Sequence, residues 1–257
     1  FIAGIAPGLL TIVLYIAVIR IVTLVKKDWG PPGQRTSWRD RFRALGKVWG
    51  IVLLFIFILG GIYAGIFTPS EAGGIGAAGA LAFAIARKKM TLHEFYKSLV
   101  EAGKTTVFVF TVAYGAIIFS NFINIAGMPD DILSFVEELN VPPMGVIFAI
   151  LVIYIALGAV FDGIGMILLT VPIFFPVVQS LGFDLIWFGI VVIMVTEISL
   201  ITPPVGMNVF VLKTMLPDVS LWTIFRGIGP FFCADLVRLG LVVMFPQIAL
   251  FLPAFMG

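Results

Sequence analysis

The sequence predicts an all-α polytopic membrane protein whose chain is interrupted twice at membrane depth, once by a re-entrant helical hairpin and once by a discontinuous helix. Three observations predict it. Apolar residues make up 61% of the 257 residues and charged residues only 12%, against roughly a quarter charged in an ordinary soluble domain. The apolar residues fall in blocks of the length a bilayer core requires, about 20 residues per spanning helix. Lys and Arg collect in some of the intervening loops and are absent from others. With a mean hydropathy of +1.15, the solvent around most of this surface is lipid, where only closed hydrogen-bonding patterns such as the helix are tolerated.

The first apolar block covers residues 1–25 and starts without Met or a basic leader, so it is not a signal peptide and reads as the interior of a longer protein. Residues 26–47 form a basic loop broken by Pro and Gly, with Lys26, Lys27, Arg35, Arg39, Arg41, Arg43 and Lys47. Two spans follow at 48–67 and 71–86. The second is rich in small residues (Gly73, Gly74, Gly76, Ala77, Ala78, Gly79), which permit close helix contact, and it ends in Arg87-Lys88-Lys89. In front of it, Thr68-Pro69-Ser70-Glu71 has the spacing of a capping box with Pro in the first turn. Thr91 and Glu94 repeat that spacing at the head of an interfacial helix over 91–104, whose Leu92, Phe95, Tyr96 and Leu99 share one face. A fourth span runs from 105 to 126, and an acidic stretch follows with Asp130, Asp131, Glu137 and Glu138.

Positive charge orients the chain. The loops at 26–47, 87–104 and 213–226 hold nearly all the Lys and Arg and are expected to be cytoplasmic, while 127–143, 181–186 and 252–257 hold none and are expected outside, with the C-terminus.

Two apolar arms at 144–157 and 166–178 flank Gly158-Ala159-Val160-Phe161-Asp162-Gly163-Ile164-Gly165. Each arm is roughly 13–14 residues, ~20 Å at ~1.5 Å per residue, short for a core of ~30 Å. A re-entrant hairpin over about 142–180 fits better than two full spans, the alternative being two short spans with Asp162 in a wet turn. An intramembrane carboxylate is costly and marks a functional site by default. The second interruption, Thr202-Pro203-Pro204-Val205-Gly206, lies in an apolar block at about 185–215. Its prolines remove two N–H donors and clash with the preceding turn, which is expected to free carbonyls near Ser199 and Leu200; the alternative is a simple proline kink healed by Ser199 or Thr202. Free carbonyls near Gly158 and Val160, with Thr202 and Asp162, make a set of hard oxygen donors suited to Na+. A substrate carboxylate beside that cation would meet the helix start after Gly206 and the Asn208 amide. A last span covers 228–251, with Asp235 and Arg238 on one helix face, read as a structural ion pair rather than a proton relay.

The motifs resemble those of the large membrane (M) subunit of tripartite ATP-independent periplasmic (TRAP) transporters, the DctM-like family. Gly65-Ile66-Phe67-Thr68-Pro69-Ser70-Glu71-Ala72 is similar to that family's GxFTPTEA. Leu200-Ile201-Thr202-Pro203-Pro204-Val205-Gly206-Met207-Asn208 is similar to GLITPPVGLN. Phe161-Asp162, Thr170-Val171-Pro172-Ile173, Pro176, Leu181-Gly182-Phe183-Asp184 and Phe188-Gly189-Ile190 follow FMDTTAAILILTPILLP…LGIDPIHFGI, and Phe1-Ile2-Ala3-Gly4-Ile5-Ala6-Pro7-Gly8-Leu9 resembles FLAGIIPGLL. Gly163 and Ile164 depart from the two Thr usual after the Asp, and Glu197 stands where small polar or apolar residues are common.

The resemblance implies an inverted-repeat, elevator-type transporter of the bacterial inner membrane, with a periplasmic C-terminus. Residues 1–25 would end the first repeat, 48–90 would be scaffold helices of the second, and 105–257 one half of the transport domain, the first hairpin and the rest of the first repeat lying outside this chain. It implies Na+-coupled uptake of organic acids such as a C4-dicarboxylate or sialic acid, a small Q membrane subunit and a periplasmic substrate-binding P subunit. The residues assigned to Na+ are Gly158, Val160, Asp162, Gly163, Thr202, Pro203, Val205 and Gly206, and those assigned to substrate are Asp162, Thr202 and Asn208. The runner-up is a stand-alone ion-coupled dicarboxylate or citrate carrier. An enzyme is not expected: there is no HExxH, no Gly-x-Ser-x-Gly, and the single His93 and single Cys233 build neither a triad nor a metal cluster. Nor is a nucleic-acid partner expected.

Overall fold

A computed structural model describes residues 2–30, 37–88, 90–204 and 206–255, with the side chains of Asp28 and Lys47 left out. Phe1, Arg35, Lys89 and Val205, named above, lie outside the described residues. The chain is helical: α1 (Ile5–Val25), α2 (Trp38–Tyr63), α3 (Pro69–Ala86), α4 (Leu92–Ile125), α5 (Met128–Glu138), α6 (Pro143–Gly158), α7 (Gly163–Ser180), α8 (Leu185–Ser199), α9 (Met207–Met215), α10 (Leu221–Met244) and α11 (Gln247–Leu250). By length and composition, four of the described helices (α1 with its leading turn, α4, α7 and α10) are long and apolar enough to cross a membrane, and α2 makes five if its two segments count as one span.

The chain divides into two compact units, one from Phe1–Gly30 and Phe108–Gly257, the other from Pro31–Val107. In the second unit α2 packs on α3. Their approach relies on missing side chains: a Cβ at Gly79 would overlap Leu54, one at Gly61 would overlap the Phe67 ring, and one at Gly76 would stand 3.0 Å from Ile58. Gly73 and Gly74 meet nothing and take no part. The capping box forms as the spacing predicts, with the Thr68 N–H donating to Glu71 Oε2 at 2.7 Å and the Glu71 N–H to Thr68 Oγ1 at 3.3 Å. The Glu71 carboxylate is thereby engaged in starting α3.

Three boundaries differ from the sequence expectation. The last span, expected at 228–251, is α10 at Leu221–Met244, started earlier by the Ser220 cap on the Thr223 N–H and ended before Pro246, after which α11 is separate. The basic loop was expected to reach residue 47, but α2 already starts at Trp38, where the Ser37 side chain accepts from the Asp40 N–H. Lys and Arg mark where lipid ends, and a helix continues past that point whenever a cap and good helix formers allow it. Likewise, the expected interfacial helix at 91–104 and the span from 105 are one 34-residue helix, α4. Its Thr91–Glu94 cap forms at 2.7 and 3.2 Å. No proline separates the two parts, and the Thr105 hydroxyl bonds back to the Glu101 carbonyl at 3.0 Å without breaking the helix.

In the first unit α8 is central, packing on α6, α7, α10 and α11. Trp187, Val191, Val195 and Ile198 on α8 are buried, as are Ile147 and Tyr154 on α6 and Met166 and Val177 on α7. Its start is fixed by Asp184, whose Oδ1 accepts from the N–H groups of Ile186 at 2.8 Å and Trp187 at 3.0 Å. The Trp187 indole N–H donates to the Val242 carbonyl at 2.9 Å, tying α8 to α10. Removing the cap with Asp184→Ala is expected to cost about 1 kcal/mol locally, which hydrogen exchange reads as a severalfold faster exchange of the Ile186 and Trp187 amides, with the α9 amides unchanged.

Candidate functional site

Helices α6 and α8 have 16 and 15 residues, or about 24 and 22 Å at ~1.5 Å per residue, less than the ~30 Å apolar core. The expectation of two short hairpin arms holds for α6 alone: the second arm, α7, has 18 residues, extended at its start by the Asp162 cap, and is long and apolar enough to cross.

The hairpin tip is a tight reversal. The N–H groups of Val160 and Phe161 both donate to the Leu157 carbonyl, at 2.9 and 2.8 Å. Asp162 is the N-cap of α7, its Oδ2 accepting from the Gly165 N–H at 3.2 Å. One carboxylate oxygen therefore has a local structural partner, and the other is open to a further ligand. Among the described residues no backbone N–H donates to the carbonyls of Gly158 or Val160.

The second interruption is more compact than the proline rule predicts. The carbonyls of Ser199 and Leu200 were expected to be free, and both are taken: Thr202 N–H donates to Ser199 at 3.0 Å and Asn208 N–H to Leu200 at 3.2 Å. The chain tightens into shorter-range bonds after α8 and then folds back, so the donors lost at Pro203 and Pro204 are replaced by donors from elsewhere in the loop. The Thr202 hydroxyl donates to the Ile198 carbonyl at 2.7 Å, which commits its hydrogen and leaves oxygen lone pairs for a cation. Gly206 restarts the chain with φ of 56°, a conformation costly for side-chain-bearing residues.

The two interruptions meet on the last turn of α8. A Cβ at Gly158 would overlap the Ser199 side chain, and one at Gly163 would stand 3.0 Å from Thr196 Cγ2. Gly158 and Gly163, assigned from sequence to one ion site, are thus brought against the end of α8, three residues before Thr202. Pro203 and Ile201 turn instead into a cleft of about 350 Å³ with Trp222, Phe225 and Arg226. The side chains of Val160 and Asn208 are exposed; Val160 can serve only through its carbonyl, and Asn208 joins the loop through its backbone N–H. Among the described residues no three His, Cys, Asp or Glu side chains group together, so a cation here would take mainly carbonyl and hydroxyl oxygens.

Sequence reasoning left one cluster incomplete. Asp235 and Arg238 pair at 3.4 Å, and three more residues join them. Arg238 Nη2 lies 3.3 Å from Glu197 Oε2, Arg238 Nη1 donates to Thr11 Oγ1, and the Tyr15 hydroxyl donates to Asp235 Oδ2 at 2.7 Å. Glu197, already out of place in an apolar block, was the available signal; its partner lies 41 residues away, beyond the reach of helix periodicity.

The sequence profile of a family described as "Tripartite ATP-independent periplasmic transporter, DctM component" matches residues 1–248. The chain is 36% identical to the C4-dicarboxylate TRAP transporter large permease protein DctM of Pseudomonas aeruginosa, over all of this chain and 60% of that protein. It is 35% identical to the ectoine/5-hydroxyectoine TRAP transporter large permease protein UehC of Ruegeria pomeroyi, over 98% of this chain and 58% of that one. Identity to the sialic acid TRAP transporter large permease protein SiaM of Vibrio cholerae is 29%, over 98% and 59%. The chain thus spans about six-tenths of the length of these relatives.

The glycine seat at the tip is testable. Gly158→Ala is expected to force tip and α8 apart at an overpacking cost of about 1–3 kcal/mol, whereas Gly165→Ala, whose Cβ would meet Val112 at an ordinary 3.6 Å, is tolerated. Thermal unfolding of the full-length protein in detergent compares the two; equal melting temperatures contradict the seat.

Proposed function

The chain belongs to the DctM component family of tripartite ATP-independent periplasmic transporters, and we propose from that premise that it is part of a permease that takes up a small organic acid with Na+. The observation that carries this reading is the seating of the hairpin tip on the last turn of α8, next to the break. Interrupted helices at membrane depth line enclosed cavities in many secondary transporters, where free carbonyls and helix ends hold ion and substrate. Here the donor set for Na+ is the carbonyls of Gly158 and Val160 and the hydroxyl oxygen of Thr202. Asp162 adds charge through its second oxygen, and Gly163, Pro203 and Gly206 shape the backbone around the ion. An unpaired carbonyl in a dry site costs several kcal/mol, which favours occupancy by a cation or water.

A substrate carboxylate beside Na+ would be neutralised by it, with the Met207 N–H at the start of α9 and the Asn208 side-chain amide as further donors, since the Asn208, Val209 and Phe210 N–H groups are taken within the loop. The two solutes are then coupled, because an anion without its cation is poorly tolerated in such a site. The substrates in the relatives' names, a C4-dicarboxylate, ectoine and sialic acid, agree on a small polar solute. In this reading the protein sits in the bacterial inner membrane with its C-terminus in the periplasm. It works with a Q subunit, a periplasmic P subunit and a first repeat carrying the other half of the cavity, and it moves substrate by an elevator displacement of the hairpin-bearing half.

Uptake into liposomes holding the full-length permease with its partner subunits tests the ion assignment. Asp162→Asn keeps the α7 cap, since Asn caps as well as Asp, and removes the charge. Thr202→Val keeps the shape and removes the oxygen; the Ile198 carbonyl retains the Ile201 N–H at 3.2 Å. Each is expected to raise the Na+ concentration for half-maximal uptake about tenfold, or about 1.4 kcal/mol. An unchanged Na+ dependence in both variants removes these side chains from the site, and wild-type uptake indifferent to Na+ refutes the coupling.

A further inference from the structure

Helix α8 presents two opposed faces at its last turns. Thr196 and Ser199 meet the hairpin tip at Gly163 and Gly158. On the other side Ile190, Ile193, Met194 and Glu197 border a cleft of about 650 Å³ together with Thr11 of α1 and Arg238 of α10. The turn that seats the tip is therefore not backed by close-packed side chains. What holds it from behind is Arg238, whose side chain is 7% exposed and whose guanidinium reaches Glu197 at 3.3 Å and Asp235 at 3.4 Å and donates to Thr11. Asp235 is in turn held by the Tyr15 hydroxyl at 2.7 Å. Thr11 and Tyr15 are spaced by one turn on α1, as Asp235 and Arg238 are on α10, so a single fork joins three helices.

The same cluster is incompletely hydrogen-bonded. Asp235 Oδ1 and Arg238 Nε are buried without a hydrogen bond, and two carboxylates share one guanidinium. A buried cluster of this kind is a poor source of net stability and is better suited to fixing one arrangement among several.

We propose that Arg238 is a positioning residue for the hairpin site: through Glu197 it sets where the turn at Thr196–Ser199 stands, and so the geometry of the tip and of the ion held there. The ion part of this rests on the Na+ reading above; the placement of the turn does not.

The test uses the full-length protein with Cys233→Ser and Thr196→Cys as background. Thr196 is buried at the tip contact, so a small thiol reagent reacts slowly there. Adding Glu197→Gln, Arg238→Lys or Arg238→Gln is expected to raise the labelling rate at least fivefold, with Lys nearer the parent than Gln. The Na+ concentration for half-maximal protection against that labelling is expected to rise about tenfold. Exchange of the Ile186 and Trp187 amides at the far end of α8 stays unchanged, which separates repositioning from general unfolding. Glu197→Gln keeps the proposal falsifiable if the Arg238 variants fold poorly, because that side chain is mostly exposed. Labelling rates within twofold of the parent in Glu197→Gln and the folded Arg238 variants overturn the proposal. A parent that Na+ does not protect refutes the coupling ion, and the labelling rates still decide Arg238.

Discussion

The backbone of the hairpin tip can lie against the last turn of α8 only because positions 158 and 163 carry no side chain, and much of the first unit is arranged around that contact. With even one methyl group at Gly158 the Ser199 side chain would have to move, yet Ser199 is fully buried and bonded at 2.6 Å to the Thr196 carbonyl. Neighbouring interactions hold the same geometry from other directions. Thr170 sits 2.7 Å from both the Tyr154 hydroxyl and the Met166 carbonyl, joining the two hairpin arms, and Trp187 ties the start of α8 to α10. Steric absence at the tip and side-chain bonds away from it thus act together.

A chain in a medium without water must also keep its polar backbone paired. The break after α8 meets this demand in an unexpected way. Two prolines in succession remove donors, and the loop recovers partners for Ser199 and Leu200 by bringing in the N–H groups of Thr202 and Asn208. The oxygens left over at the tip, on Gly158 and Val160, therefore stand out more than those at the break. This shifts the weight of the proposed ion site towards the hairpin, with Thr202 as the contribution of the discontinuous helix.

The sequence was informative wherever one short-range rule dominated. The hairpin arms were read at 144–157 and 166–178 and are found at Pro143–Gly158 and Gly163–Ser180; the break read at 202–206 falls between Ser199 and Met207. Gly, Pro and capping residues act within a few positions, so these edges were legible. The start of α2 and the unity of α4 were not, because lipid-to-water boundaries and helix boundaries follow different physics, and basic residues report only the first. Carbonyl pairing at the break depended on a reversal of the chain, and the Glu197–Arg238 link on the packing of distant helices; neither has a local pattern.

Trp187 is 1% exposed, stacked on Phe183 at 5.3 Å, and bonded through its indole N–H. The other four of the five tryptophans, Trp29, Trp38, Trp49 and Trp222, are each between 46% and 76% exposed. A collisional quencher dissolved in the surrounding lipid or water would reach those four and leave this one emitting. Among the tryptophans of these 257 residues, the light that survives exhaustive quenching would then come from the helix that seats the hairpin, an intrinsic optical probe of that element without any label.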